Sequence, residues 1–160
     1  MAVSRKLTTF LRKSRVTYKT LKHKQAFTAQ EIAGVQHVPG KQVVKSVLLK
    51  SDKGFCLAVL PAINLVDFAK LKTILRAKKV SLATEGEIAK IFPDFEVGAM
   101  PPFTALGSDG ASVSLLADAI LKEDKEIVFN AGTHTETVKI KFKAFEKLAK
   151  PKFASFGKHV

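Results

Sequence analysis

The chain has 160 residues, of which 46% are hydrophobic, a single cysteine (Cys56) and a formal net charge of +13. The length and the hydrophobic share of the sequence predict one globular domain over residues 1–160. No apolar run is as long as the about 18 residues that a membrane-spanning helix needs. One cysteine excludes an internal disulfide and the N-terminus lacks a secretory-signal pattern, so the expected location is the cytoplasm.

The first predicted element is a basic amphipathic helix over residues 4–15, with its apolar side chains on one side. It belongs to a basic end: residues 1–30 hold eight lysines and arginines and no acid, and residues 139–160 hold seven lysines and one acid. If these ends pack side by side, they form a surface that binds a polyanion. The alternative is a solubilising surface without a partner. The predicted polyanion contacts are Arg12, Lys13 and Arg15.

Helical spacing and capping patterns predict further helices along the chain, and β-branched runs predict strands between them. The predicted helices that follow the first span residues 28–35, 64–77, 84–92 and 143–150. The predicted strands span residues 16–23, 42–50, 54–61, 79–83, 112–118, 126–132 and 136–142. The turn Ser51–Gly54 should join the second and third strands as a hairpin. Helices interleaved with strands indicate an α/β or mixed α+β sheet fold.

One strand contains a lysine at an unexpected position. Alternation along residues 43–49 places Lys45 on the same face as Val47 and Leu49, which is the more apolar side by residue type. Burying an unpaired ammonium costs about 3 kcal/mol or more unless the group finds a partner, loses its proton or reaches solvent. On the strand alone, a side chain that extends along the strand to solvent is the favoured explanation of the lysine, and a functional role is the alternative.

The segment 92–111 has an unusual composition for a loop. It contains three prolines and three glycines together with several large apolar side chains. It is too apolar for a solvated spacer, so it should fold over another part of the protein.

Standard catalytic and metal-binding motifs are absent from the sequence. The four histidines lack metal-site spacing, and there is no P-loop, no GxGxxG and no nucleophile elbow. Three elements remain as candidates: Lys45 with Ser46, the loop 98–103, and the strand end 130–136. Glycines in the two loops let backbone amides approach a ligand and donate to an oxyanion or carbonyl. Each element also has a structural explanation, as a turn, a stiffened loop or a surface histidine.

Four motifs in order, HKQAFTAQEIA (23–33), PGKQVVKSVLLK (39–50), FPDFEVGAMPPF (92–103) and EIVFNAGTHTE (126–136), carry a resemblance. With them the chain resembles the YbaK/prolyl-tRNA synthetase editing-domain family of aminoacyl-tRNA deacylases. The resemblance covers about residues 16–150, so basic extensions flank the core at both ends. It implies a mixed, largely antiparallel sheet with surrounding helices.

The resemblance also implies an activity and a site. The protein would hydrolyse the ester of mischarged tRNA in trans, with alanyl- or cysteinyl-tRNA for proline as leading substrates and neither metal nor cofactor. Water would attack with help from a ribose hydroxyl and backbone amides. The implied catalytic residues are Lys45, Gly98, Pro101 and Gly132. The implied substrate-binding residues are Ser46, His23, Met100, Phe103 and His134. The basic residues Arg12, Lys13 and Arg15 would contact the tRNA acceptor end.

Two other functions fit the same sequence. A non-catalytic module of this fold could bind tRNA or a synthetase, and a deacylation assay separates it from an enzyme. A membrane-surface protein could use the basic helix, although residues 5–15 offer only three large apolar side chains. Neither a membrane nor DNA is the expected partner, whereas an aminoacyl-tRNA synthetase is an expected second partner.

Overall fold

The computed structural model describes residues 5–22, 42–96, 98–108, 113–133 and 135–158. These residues form four α-helices, none of which is long and apolar enough to cross a membrane. The helices are α1 (Arg5–Lys13), α2 (Phe68–Leu75), α3 (Glu85–Ile91) and α4 (Phe142–Ala149). Two short 3₁₀ segments lie at Thr104–Leu106 and Ala119–Glu123.

The strands fall into a three-stranded and a five-stranded sheet, with a separate two-stranded pair. The orders are β1-β8-β7, β5-β2-β3-β6-β9 and β10-β4. Most pairs are antiparallel, and the exceptions are β3 with β6 and β6 with β9. This confirms the predicted mixed fold with a largely antiparallel sheet. The strands are β1 (Tyr18–Lys22), β2 (Val44–Ser51), β3 (Gly54–Pro61), β4 (Leu65–Val66), β5 (Val80–Leu82), β6 (Val113–Asp118), β7 (Glu126–Asn130), β8 (Glu136–Lys141), β9 (Lys152–Ala154) and β10 (Gly157–Lys158).

An isolated bridge joins the two larger sheets. Val43, directly before β2, pairs in parallel with Val128 in the middle of β7. Because paired residues share a face, the alternation of side chains continues from β2 across β7 to β8. One face of this combined sheet therefore carries Lys45, and the other carries its neighbour Ser46.

Each face of the sheet packs on its own hydrophobic cluster. The larger cluster holds side chains of α1 and α4, the even positions Val44 and Leu48 of β2, and the segment 92–106. The smaller cluster holds Leu49 with Leu60 of β3 and the apolar side of α2. The apolar loop predicted to fold over another part of the protein thus covers the larger cluster. The basic ends of the chain meet there through α1 and α4.

Most predicted elements are present, and the differences have local causes. The predicted helix 64–77 starts later, because Leu65–Val66 pair with β10 and the side chain of Asp67 caps the helix by accepting from Lys70 N–H. The helix predicted over 84–92 spans Glu85–Ile91, with Thr84 as its N-cap in the predicted capping box, where the Thr84 amide donates to the Glu87 carboxylate. The predicted helix 28–35 lies outside the described residues.

Candidate functional site

Lys45 pairs with Leu60 across the β2–β3 hairpin, and its side chain is half-buried. Within the described ranges its ammonium group makes no hydrogen bond or ion pair. Burial lowers the pKa of Lys45 below its ordinary value, because desolvation disfavours the charged form. The structure therefore contains a partly desolvated cation without a protein counterion in its described part.

The face of β2 that carries Lys45 is the more apolar one by residue type. Over the first half of the strand, however, it is less buried than the other face. Lys45 and Val47 are half-buried, whereas Val44, Ser46 and Leu48 on the other face are buried. The expectation that Lys45 lies among apolar side chains is met, but its strand face stays partly open. A ligand could therefore reach the ammonium group.

Two unpaired polar side chains lie on the same face as Lys45. Asn130 ends β7 two residues after the Val43–Val128 bridge, and it pairs directly with Thr137 of β8. Asn130 Oδ1 and Thr137 Oγ1 are buried and have no hydrogen-bond partner in the described structure. Buried polar atoms are normally paired, so this pair of acceptors needs a partner that the described residues do not supply. The sequence pattern assigns neither residue a role, since only the pairing of three strands brings them beside Lys45.

The pKa of Lys45 leads to a prediction about stability. Replacing Lys45 by methionine should raise the free energy of unfolding near neutral pH, because it removes an unpaired charge and keeps the apolar stem. The pKa of Lys45 is lower in the folded protein, so over this pH range the unfolded chain binds more protons. The loss of unfolding free energy that the buried charge causes therefore disappears as the pH rises from the folded-state pKa towards the ordinary value. The gain from methionine should therefore be larger near pH 7 than at about pH 10. Urea unfolding of both proteins measures it, and a gain that does not change with pH would contradict it.

The loop 96–103 and the turn 130–136 are tied together through their backbones. Glu96 N–H donates to Gly132 O at 2.9 Å, and Gly132 N–H donates to Ala99 O at 3.0 Å. Gly98 and Gly132 have φ angles of 85° and 92°, in the region that favours glycine. The second and third candidate elements are thus in direct contact, at the end of β7 where Asn130 lies.

These bonds decide which amides are available as donors. The amide of Gly132 is engaged by Ala99, so the expectation that it donates to a ligand does not fit this structure; its part is to hold the loop. The amides of Gly98 and Met100 make no hydrogen bond within the described part of the chain. Pro101 has no N–H; it is buried, and its carbonyl accepts from Phe103 N–H at 2.9 Å. Gly98 and Met100 are therefore the candidate oxyanion donors of this loop.

Three predicted substrate-binding side chains lie on the opposite face of the sheet from Lys45. Met100 and Phe103 are 4% and 1% exposed and belong to the larger hydrophobic cluster. Ser46 is buried on that face as well, and its Oγ has no partner in the described structure. The loop therefore contacts the end of β7 through its backbone bonds with Gly132, and its large side chains pack on the face opposite Lys45.

The remaining predicted residues divide into two groups. His23 and His134 lie outside the described residues. The predicted RNA-binding side chains are exposed at and just after the end of α1, and the last of them lies beside α4. They are Arg12, Lys13 and Arg15. No group of three or more metal-ligating side chains occurs in the part of the chain that the structure describes.

Comparison with known proteins places the chain among editing domains. The sequence model of the aminoacyl-tRNA editing domain family matches residues 23–148. The proline–tRNA ligase of Fervidobacterium nodosum is 31% identical over 102 residues, which are 63% of this chain and 17% of the ligase. The proline–tRNA ligase of Bacillus pumilus is 32% identical over 98 residues, 61% of this chain and 16% of the ligase. The chain spans about a sixth of the length of these curated relatives.

Solved structures share the fold along nearly the whole chain. A crystal structure of a protein described as a candidate trans-editing enzyme for prolyl tRNA synthetase has a TM-score of 0.85 and 20% identity, and covers 99% of this chain and 98% of its own. The crystal structure of hypothetical protein APE2540 has a TM-score of 0.85 and 18% identity, with 96% and 100% covered. These likenesses show the fold. Since the family model also spans most of the sequence, the resemblance inferred from the four motifs is confirmed, and the chain belongs to the aminoacyl-tRNA editing domain family.

Proposed function

We propose that this protein is an aminoacyl-tRNA deacylase that hydrolyses the ester of mischarged tRNA in trans. The observation that carries the proposal is Lys45, a half-buried cation without a counterion in the described structure, on an open strand face. A substrate rich in phosphate, hydroxyl and carbonyl oxygens would supply the missing partner. Membership in the editing family and the likeness to a candidate trans-editing enzyme support the same reaction.

The chemistry needs no protein nucleophile. A water oxygen forms a bond to the ester carbonyl carbon, assisted by a hydroxyl of the terminal ribose, and the carbonyl oxygen becomes an oxyanion. The amides of Gly98 and Met100 are the candidate donors to that oxyanion. The bond from carbon to the ribose oxygen then breaks, and the proton lost by water ends on that oxygen. The products are a free amino acid and an uncharged tRNA.

Cys56 is buried and burial raises the pKa of its thiol, which does not favour a thiolate nucleophile.

Alanyl- and cysteinyl-tRNA for proline are the proposed substrates. Synthetase pockets discriminate weakly between amino acids of similar size, because one methylene is worth only about 1–3 kcal/mol. A second hydrolytic site removes the errors that such a pocket admits. The ligases that match this chain over 102 and 98 residues are proline–tRNA ligases, which supports tRNA for proline as the carrier.

A panel of charged tRNAs tests this function. Purified protein should release alanine or cysteine from tRNA for proline well above the spontaneous rate, and should leave prolyl-tRNA intact. Seryl- and threonyl-tRNA complete the panel and define the size limit. If none of the five substrates is hydrolysed although the tRNA binds, the protein is a non-catalytic tRNA-binding module of the same fold.

A further inference from the structure

A cleft lies where the two basic ends of the chain meet. It has a volume of about 280 Å³ and lies between the end of α1 and one side of α4. Its lining includes Arg15 and Thr17 from the N-terminal segment and Lys141 and Lys147 from the C-terminal one. The two basic ends of the chain therefore pack side by side, which is the condition that the sequence analysis set for a polyanion-binding surface.

The positive charge of this cleft is not neutralised locally. Among the residues that the structure describes, the side chains of Arg15, Lys141 and Lys147 make no hydrogen bond or ion pair. The nearest acids are Glu126, which lies across the β7–β8 ladder from Lys141 and forms an ion pair with Lys139 at 3.5 Å, and Glu146, which precedes Lys147 on an exposed part of α4. No acidic side chain lines the cleft itself. Three cations around one cleft without an anion fit a phosphate group.

A row of cations on the Lys45 face of β8 leads from the candidate site to Lys141, which lies at the edge of the cleft. Alternation along β8 places Thr137, Lys139 and Lys141 on one face, and Lys19 of β1 lies directly opposite Lys139. This is the face of the unpaired Thr137 hydroxyl beside Asn130. Four residues separate Thr137 from Lys141, which is about 14 Å at about 3.4 Å per residue. At about 3.4 Å per stacked nucleotide, that distance corresponds to about four nucleotides.

We infer that the cleft of Arg15, Lys141 and Lys147 binds the phosphate backbone of the tRNA acceptor arm, about four nucleotides from the terminal adenosine. The inference rests on the proposed function, because that function puts the terminal adenosine at Lys45. The unpaired end of the arm would follow the Lys19 and Lys139 face of β8. Its phosphates would then enter the cleft near the point where the unpaired end joins the stem.

The chain provides a closely matched control for this surface. Arg15 follows α1 with a φ of 55°, where its amide bonds to Arg12 O and the next amide bonds to Leu11 O. Arg76 follows α2 with a φ of 54° and the same pair of bonds, to Thr73 O and Lys72 O. Each arginine occupies the left-handed position that ends a helix, where glycine is favoured. α2 packs on the Lys45 face beside Leu49, towards the other end of β2 from the Val43–Val128 bridge, and none of its residues lines the cleft.

The experiment compares two triple variants with the wild type. One carries Arg15→Gly, Lys141→Ala and Lys147→Ala, and the other carries Arg76→Gly, Lys70→Ala and Lys72→Ala. Binding of an uncharged acceptor-stem RNA hairpin ending in CCA is measured over a range of salt concentrations. The cleft variant should bind at least 10-fold more weakly and should flatten the slope of log affinity against log salt by about 2–3 units. The control variant should behave as the wild type, and circular dichroism should show both folded.

A short substrate separates this inference from the proposed function. The cleft variant should hydrolyse an aminoacylated CCA trinucleotide at the wild-type rate, because that substrate is too short to reach the cleft, and should show a raised KM only with the charged hairpin. If no substrate is hydrolysed but the hairpin still binds through the cleft, the proposed activity fails and the inference stands. Equal hairpin affinity and slope for both triple variants would overturn the inference.

Discussion

Replacing Lys45 by alanine should reduce the deacylation rate 100-fold or more in a protein that stays folded. The reason is electrostatic: a preorganised cation in a partly desolvated site interacts strongly with charge that develops in the transition state. The loss of one such contact costs about 2.7–4 kcal/mol. Lys45 has no partner in the described structure that would give it a purely structural role. Rates with alanyl-tRNA at saturating substrate measure the effect.

Lys50 is the matched control for Lys45 on the same strand. It is exposed and forms an ion pair with Glu87 at 2.8 Å, the residue that also closes the capping box of α3. Exposed ion pairs contribute about 1 kcal/mol or less, so Lys50→Ala should deacylate nearly as the wild type does and lose little stability. If Lys45→Ala and Lys50→Ala both turn over within a few-fold of the wild type, Lys45 is a strand lysine that extends to solvent and has no part in the reaction.

Replacing Phe103 by alanine should destabilise the protein by about 3–5 kcal/mol. Its ring is 1% exposed and lies among three other rings, with centroids 5.1 Å from Phe10, 5.6 Å from Phe129 and 6.1 Å from Phe145. These contacts join α1, the apolar loop, β7 and α4 in one cluster, so the cavity would open at their junction. Chemical denaturation gives the change in unfolding free energy. Phe68→Ala, at a half-buried position on α2, should cost less.

The same position tests the substrate-binding role implied for Phe103. Phe103→Leu keeps most of the buried volume and should leave a folded protein. Since the ring lies on the opposite face of the sheet from Lys45, we expect the order of preference among charged tRNAs to stay unchanged. A shift of Phe103→Leu towards bulkier aminoacyl groups would instead support the implied substrate-binding role.

The sequence predicted elements wherever the signal was local. The hairpin around Ser51–Gly54, the capping box at Thr84 and the basic amphipathic α1 each depend on residues a few positions apart, and each is present. The helix predicted from Asn64 started too early, because Leu65–Val66 pair with the distant Gly157–Lys158. Apolar residues at helical spacing carry no information about such a pairing.

The candidate site shows the same limit more clearly. Strand alternation alone singled out Lys45, and glycine chemistry singled out Gly98 and Gly132. That Met100 packs away from Lys45, and that Asn130 and Thr137 lie beside it, depends on which strands become neighbours. Non-local pairing also decides that the Gly132 amide is occupied by Ala99. Sequence motifs thus identified many residues of the candidate site, but they did not predict on which face of the sheet each side chain lies.

The rate of alanine release from alanyl-tRNA for proline, with protein far below the substrate concentration, tests the central claim most directly. A deacylase should release many equivalents of alanine per protein molecule, well above the spontaneous rate, and Lys45→Ala should abolish most of that excess. A binding module would instead shield the ester, so that at excess protein the release falls to or below the spontaneous rate. The first result is the one that the geometry around Lys45 predicts, and the second would contradict it.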